Sequence, residues 1–442
     1  MEVLTAAEST DQQRRIAGGL LASGLRAGDR VALLTRSSGL MLSGILGALR
    51  VGIVPVLLNP GLLDHERDAL LADAQPSRVI DDAELARLVT GEPVDLAPHP
   101  LARPMHYTSG TTGAPKGVWS GLLDEPEAAA LVGEEAELWQ FDADDRHLVC
   151  SPFHHSVAIR FGGGTLLAGG TVVILGSFSA FAAAAAIATH RPTTTFMVPA
   201  HLQRLFALEE IPAMGSFRLA VHAGAPCPAP LKRAAIEAFG LDALWEFYGS
   251  TEGQFTACAA TEWLDHEGSV GRARRHRELF VADTGTIWCE VPPYARFEYW
   301  RDATKTAAAW RPPTKPGAHG AFSVGDVGRL DADGYLYLDG RRDDLIITGG
   351  VNVYPMEVEH ALADHPGIVE VAVFGCEDER WGQRVCAAIV GTATPDETLA
   401  YARTRLAPYK CPKQVFVVDE LPHTPTGKLQ RARLWELVGE GG

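Results

Sequence analysis

Apolar positions along the chain follow two rhythms. Residues 30–35 (Arg-Val-Ala-Leu-Leu-Thr) and 53–58 are short apolar runs that predict buried strands, whereas 12–25 and 40–50 place apolar residues at helical spacing. The middle of the chain repeats the alternation, with strands predicted at 194–198 and 219–222, helices at 200–208 and 230–239, and a run at 244–248 that enters a loop. Strand and helix in turn predict an α/β fold with a mostly parallel sheet. Residues 285–299 have a β-rich texture, and 311–319 (Arg-Pro-Pro-Thr-Lys-Pro-Gly-Ala-His) reads as loop. A new unit starts at Val351, with a helix at 355–364, strands at 369–374 and 384–390, and a basic tail punctuated by prolines.

Residues 161–189 carry no charge and are long enough to cross a bilayer, but six glycines divide them. They predict a helix end, a strand at 171–175 and an alanine-rich helix at 181–189, all buried. The first fifteen residues have charges from Glu2 onward and no apolar run, so neither a secretory nor a transit signal is expected and the compartment read is the cytoplasm. Seven scattered cysteines without a C-x-x-C pair predict small buried hydrophobes, with no disulfide framework or zinc site.

Composition bounds the function. The 442 residues are 46% hydrophobic and 21% charged, a globular balance that suggests two or three domains. The formal charge of −16 disfavours nucleic acid and anionic lipid over most of the surface. A polyanionic ligand then needs its own placed donors.

Such donors occur in Tyr107-Thr108-Ser109-Gly110-Thr111-Thr112-Gly113-Ala114-Pro115-Lys116-Gly117, which combines glycines, hydroxyls and a lysine as a triphosphate requires. It is not a Walker P-loop, because Pro115 precedes Lys116 where that motif has glycine. Further segments follow in order: Gly224-Ala225-Pro226; Tyr248-Gly249-Ser250-Thr251-Glu252; Gly325-Asp326; Gly340-Arg341-Arg342-Asp343-Asp344 with Gly349-Gly350 beyond it; and Pro425-Thr426-Gly427-Lys428. In this order and spacing they resemble the adenylate-forming superfamily, which includes acyl-CoA synthetases, peptide-synthetase adenylation domains and firefly luciferase. The resemblance runs from about residue 10 to about residue 435.

The resemblance implies a role for each segment. Thr108, Ser109, Gly110, Thr111, Thr112 and Lys116 would cradle phosphates, and Gly224, Ala225 and Pro226 would lie against adenine. Tyr248, with Gly249 and Ser250, would stack near adenine, Thr251 would meet the α-phosphate, and Glu252 would hold Mg²⁺. Asp326 would take both ribose hydroxyls, with Arg341 on ribose or phosphate. Asp343 would be the hinge of a small C-terminal domain that presents the catalytic Lys428 for adenylation, then rotates so that Gly349 and Gly350 approach the pantetheine arm of coenzyme A. The residue types suit this work. Attack of a carboxylate on the α-phosphorus builds charge on phosphate oxygens, which Mg²⁺ and cations neutralise; Glu252 is a hard oxygen ligand, and one carboxylate accepts well from a diol.

The acid site is less legible. Ser151-Pro152-Phe153-His154-His155-Ser156 is similar to the family's segment beside the carboxylate channel, with His154 as the matching residue. Adjacent histidines are expected to point in different directions, which argues against a metal pair. Val157, Ala158, Arg160, His201, Gly224 and residues 253–256 are expected to line the acyl site, with Arg160 either paired to a structural carboxylate or facing a polar group of the acid. The chain departs from the family in being shorter before Asp11 and between Asp82 and Tyr107, in Val324 where a threonine is usual, and in Ala273 followed by Arg274-Arg275-His276-Arg277. That basic run is either a solvated face or a contact for the 3′-phosphate of coenzyme A.

The expected architecture is α/β: a large multi-subdomain N-terminal domain (1–342) with parallel sheets and a β-rich subdomain, and a small mobile α+β C-terminal domain (343–442). The expected activity is ATP- and Mg²⁺-dependent acyl-adenylate formation followed by transfer to coenzyme A, in a monomer or homodimer. Two alternatives stay open at this level: another acceptor (a carrier-protein thiol, or an amine or nitrite as in diazo-forming relatives), and a non-catalytic nucleotide-binding protein.

Overall fold

The computed structural model describes all residues except 109–114, 342–343, 349–350, 379–380, 425–428 and 435–442. Two sheets dominate. In the first, the strands Thr171–Ile174, Arg146–Val149, Thr194–Met197, Leu219–His222 and Leu244–Glu246 run parallel. Glu2–Thr5 closes one edge antiparallel to Thr171–Ile174; on the other side Thr256–Ala259 runs antiparallel to Leu244–Glu246, and Arg272–Ala273 pairs beyond it as the edge. The second sheet has Arg30–Leu34 parallel to Val54–Leu57 and Arg78–Asp81, then Met105–Thr108 parallel to Val54–Leu57, with Lys116–Trp119 antiparallel beyond it. The predicted alternation is thus present. Helices Ala6–Ala22, Gly39–Leu49 and Ser156–Leu167 pack a continuous apolar core between these two sheets.

The first helix starts earlier than its apolar spacing suggests. Thr5 caps it, and Thr5 and Glu8 exchange hydrogen bonds as a capping box. The uncharged stretch resolves into the expected elements, Ser156–Leu167, Thr171–Ile174 and Ala180–His190, but the last helix is not buried as expected: only its Ala183, Ala186 and Ile187 are buried, and Phe181 is 79% exposed. No helix among the described residues is long and apolar enough to cross a membrane.

The β-rich region forms a four-stranded sheet containing Ile287–Val291 and Gly320–Phe322, and beside it Asp326–Leu330 pairs with Leu336–Arg341. The C-terminal unit packs helices Pro355–Ala363 and Pro395–Arg405 against a sheet built on the long strands Ile368–Asp378 and Gly382–Gly391. One expectation is corrected here. Cys376 and Cys386 are joined as a disulfide between these two strands, because the hairpin brings together two cysteines that have no motif spacing in the sequence. Cys150, Cys258, Cys289 and Cys411 are buried free thiols, as expected.

Candidate active site

Four of the sequence segments leave the carboxyl ends of parallel strands, where open α/β sheets bind ligands. Ser151 and His154 follow Arg146–Val149, Gly224 follows Leu219–His222, Tyr248 follows Leu244–Glu246, and residues 109–115 follow Met105–Thr108. Thr108 and Lys116 are direct cross-strand partners, so the phosphate-loop segment is the connection of a hairpin held at both ends. Ser109, Gly110, Thr111 and Thr112 lie outside the described residues, as do Asp343, Gly349, Gly350 and Lys428.

The loop after Tyr248 is tight. The Ser250 N–H donates to the Gly253 carbonyl at 2.8 Å, and Gly249 bridges Gln254. A Cβ on Gly249 would meet the Gln254 Cα at 2.9 Å, and one on Gly253 the Phe322 ring at 2.7 Å, so both positions need glycine for close approach. Glu252 is buried. Its Oε1 accepts from the Tyr299 hydroxyl at 2.9 Å, and its carbonyl accepts from Arg103 at 3.2 Å. Lys116 Nζ stands 5.1 Å from the Tyr299 ring, which brings the end of the phosphate loop to the carboxylate through one aromatic side chain.

The Tyr248 hydroxyl donates to the Asp326 carboxylate, and its ring lies 4.8 Å from that of Phe255. Asp326 stands opposite Arg341 in strand register. The two groups expected at adenine and ribose therefore meet, although 78 residues separate them in sequence. Gly224 has φ of +92°, a left-handed conformation that glycine adopts without strain, at the exposed top of its strand with Ala225 and Pro226. Beneath it lies a group that sequence reasoning missed: Lys232, 1% exposed, pairs with Glu246, and His222 Nδ1 stands 3.9 Å from the same carboxylate.

His154 lies in a turn, where its ring and that of His155 stand 4.4 Å apart. This corrects the expectation of diverging side chains, which holds for a strand and not for a turn. The His154 carbonyl contacts His106 Nδ1 at 3.1 Å. Burial lowers His154 and His106 to about 4 and His155 to about 3, so all three are neutral at pH 7.

Behind the loop lies a cavity of about 340 Å³, at the lower end of the range for small-molecule sites. Thr251, Gly253 and Gln254 meet it on one side and Ser156, Ile159, Arg160 and Gly163 of one helix face on another. Arg160, Gly253 and Gln254 line it as expected. Six other expected lining residues do not: Gly224 and Thr256 stand apart from it, Val157 and Ala158 pack into the core, His201 stacks on Phe178 with ring centres 3.9 Å apart, and Phe255 is buried against Phe322. Thr256 donates its hydroxyl to the Val270 carbonyl. The helix turns one face to the cavity and the next residues to the sheet.

The basic run is also corrected. Arg274 is 1% and Arg277 5% exposed, neither on a solvated face nor free for coenzyme A; both pair with Glu134 of the helix Glu125–Trp139. Arg275, 63% exposed and paired with Glu137, stays outside together with the exposed His276.

Residues 2–101 and 92–290 match the model of the AMP-binding enzyme family, and 357–428 match that of its C-terminal domain. The chain belongs to the AMP-binding enzyme family. An indoleacetate–CoA ligase of Aromatoleum aromaticum is 32% identical over 98% of this chain and 93% of its own, and a feruloyl-CoA synthase of Amycolatopsis is 34% identical over 99% and 94%. Among solved structures, o-succinylbenzoate CoA synthetase of Bacillus subtilis with its acyl-adenylate superposes with a TM-score of 0.82 at 28% identity, covering 97% of this chain and 92% of that one. An amide bond synthetase of Marinactinospora thermotolerans gives 0.84 at 27%, covering 98% and 94%. ATP and Mg²⁺ are the cofactors of this AMP-binding enzyme. Among the described residues no group of three His, Cys, Asp or Glu is placed to hold a metal alone; Mg²⁺ keeps waters and phosphate oxygens around one or two carboxylates, and the buried Glu252 is a hard oxygen donor of that kind.

Proposed function

We propose that the acid activated by this enzyme carries an aromatic ring, and that it enters the cavity behind the catalytic loop. The enzyme is an AMP-forming acid–thiol ligase: with ATP and Mg²⁺ it converts a carboxylic acid to its acyl-adenylate and passes the acyl group to the thiol of coenzyme A. The observation that carries the proposal is the position of the loop 249–254, between the Tyr248–Asp326 pair and a cavity walled by Leu46, Leu131, Ile159, Phe141 and Phe322. The acids named for the relatives, indoleacetate and ferulate, each contain a ring.

In this reading Asp326, oriented by Tyr248, accepts the ribose hydroxyls and Thr251 faces the α-phosphate. Glu252 and Lys116 meet metal and phosphate. Neutral His154, beside the channel, adds no charge to compete with Mg²⁺ for the incoming carboxylate. The unit from Asp343 onward is the moving part, with Lys428 used in adenylation and Gly349 and Gly350 facing coenzyme A after rotation.

The test is a panel of aromatic and aliphatic acids incubated with ATP, Mg²⁺ and coenzyme A, with AMP and acyl thioester followed by mass spectrometry. Ring-bearing acids are expected to give both products. AMP without thioester would redirect the search to another acceptor, such as the amine of an amide bond synthetase, and equal turnover of straight-chain acids would overturn the ring assignment.

A further inference from the structure

The cavity behind the loop has more positive charge than its own walls neutralise. Arg103, Arg160, Arg274 and Arg277 line it. Two glutamates answer these four arginines. Glu134 Oε1 pairs with Arg277 and lies 3.1 Å from Arg274, while its Oε2 accepts from the Tyr294 hydroxyl at 3.0 Å. Glu135 Oε1 accepts from Arg274 at 2.9 Å and its Oε2 from the Trp139 indole, also at 2.9 Å. Burial opposes ionisation of Glu135, but Arg274 and Arg160 hold it at about 2. The third carboxylate nearby, Glu252, is engaged by Tyr299, and the three histidines on this side are neutral. The Tyr299 hydroxyl is neutral and leaves the Glu252 charge in place, so four arginines face three carboxylates and one cationic charge remains in excess in a buried space.

Several of their donors are unspent. Arg274 Nε and Nη1, Arg103 Nε and Arg277 Nε are buried without a hydrogen-bond partner, and so are both amide atoms of Gln254. Arg160, with 22% of its side chain accessible, has Glu135 as its nearest carboxylate at 3.7 Å, beyond hydrogen-bond distance. Buried polar groups of native proteins are almost always paired, and a buried charge without a partner is costly. Five donor-bearing side chains that converge on one apolar cavity therefore read as a site whose missing member is an acceptor. Arginine forks suit a planar carboxylate.

We infer that the acid has a second carboxylate, remote from the one that is activated, and that Arg160 with Arg274 receives it inside the cavity. The inference rests on the ligase reading for where the first carboxyl goes, at the Thr251 end. The apolar walls take the ring between the two ends, so Arg160 is a specificity-determining residue, one helical turn beyond Ser156 on the lining face.

Matched pairs of acids test this with the full-length protein: benzoate against benzene-1,3- and benzene-1,4-dicarboxylate, and phenylacetate against its 3- and 4-carboxy derivatives. In acid-dependent ATP–pyrophosphate exchange, at least one dicarboxylate should exceed its monocarboxylate partner tenfold or more in kcat/KM. Arg160→Gln should lower that ratio at least tenfold, and Arg160→Lys should keep part of it. A ratio at or below one in every pair, or a ratio that Arg160→Gln leaves unchanged, overturns the inference. Titration calorimetry with the same acids separates it from the ligase reading. Tenfold tighter binding of a dicarboxylate, lost in Arg160→Gln, upholds the second-carboxylate site even where no exchange occurs, and the absence of exchange then counts against the ligase reading alone. Equal binding of both members of each pair overturns the inference whatever the turnover.

Discussion

Gly253→Ala is a single added methyl group with a calculable outcome. The new Cβ would stand 2.7 Å from Phe322 Cζ and 3.1 Å from its Cε1, whereas carbon atoms pack at about 3.5–4.0 Å. Roughly 0.8 Å of movement is needed to relieve the contact. Phe322 is not free to supply it, being fully buried among Phe255, Phe297 and Trp310 with ring centres 4.9, 5.2 and 5.4 Å away. The loop must move instead, and with it Thr251 and Glu252. Overpacking of this kind costs about 1–3 kcal/mol in stability, and a misplacement near 1 Å can cost on the order of 100-fold in rate. Acid-dependent ATP–pyrophosphate exchange should therefore fall by about 30- to 100-fold in a protein that still folds. Phe322→Leu in the same chain opens the space and should restore exchange to within about tenfold of the parent. Exchange within twofold of the parent in the single variant, or no recovery in the double variant, would refute the claim that this contact sets the loop's position.

Further outcomes follow from other contacts. Lys232→Met strands the buried Glu246 carboxylate and should cost about 3–5 kcal/mol in urea unfolding, while Lys232→Met with Glu246→Leu should recover most of it; a loss below about 1 kcal/mol in the single variant contradicts the pairing. Burial holds His106, His154, His201 and His222 at about 4 and His147 and His155 at about 3 in the folded protein, against about 6.5 unfolded. Between these values the unfolded chain binds more protons, so stability falls as pH drops below about 6.5, by up to about 1.4 kcal/mol per pH unit for each histidine. A thermal midpoint constant from pH 7 to pH 5 would count against the buried neutral assignments. Lys428→Ala should abolish adenylation yet leave thioester formation from a supplied acyl-adenylate nearly intact; equal loss in both half-reactions would sink the two-orientation scheme.

The parallel strands were legible because each is a short apolar run buried on both faces, and the binding segments were legible because glycine, proline and hydroxyl residues cluster where such strands end. Pairings across long separations were not. Nothing in the sequence marks that Tyr299 reaches Glu252, that Lys232 meets Glu246, or that Arg274 and Arg277 close onto Glu134. A charged residue carries no local sign of burial, so Arg274-Arg275-His276-Arg277 looked like a surface run until the helix Glu125–Trp139 was seen to supply its partners. The strand Glu2–Thr5 escaped notice because it is four residues long and stands at a sheet edge. The capping box of the first helix was a signal available in Thr5 and Glu8. The Cys376–Cys386 pair depends on the register of two long strands, which periodicity alone does not specify.

The loop 249–254 also acts as a partition. Gly224, Ala225, Pro226, Tyr248 and Asp326 lie outside the cavity walls, which the helix face of Ser156, Ile159, Arg160 and Gly163 helps to build. Mutational drift on one side of that boundary leaves the other side's chemistry in place. A chain built this way can acquire a new acid by changing a few helix positions while its nucleotide machinery stays under separate selection, a division that gives laboratory evolution of this enzyme a short and well-bounded set of residues to vary.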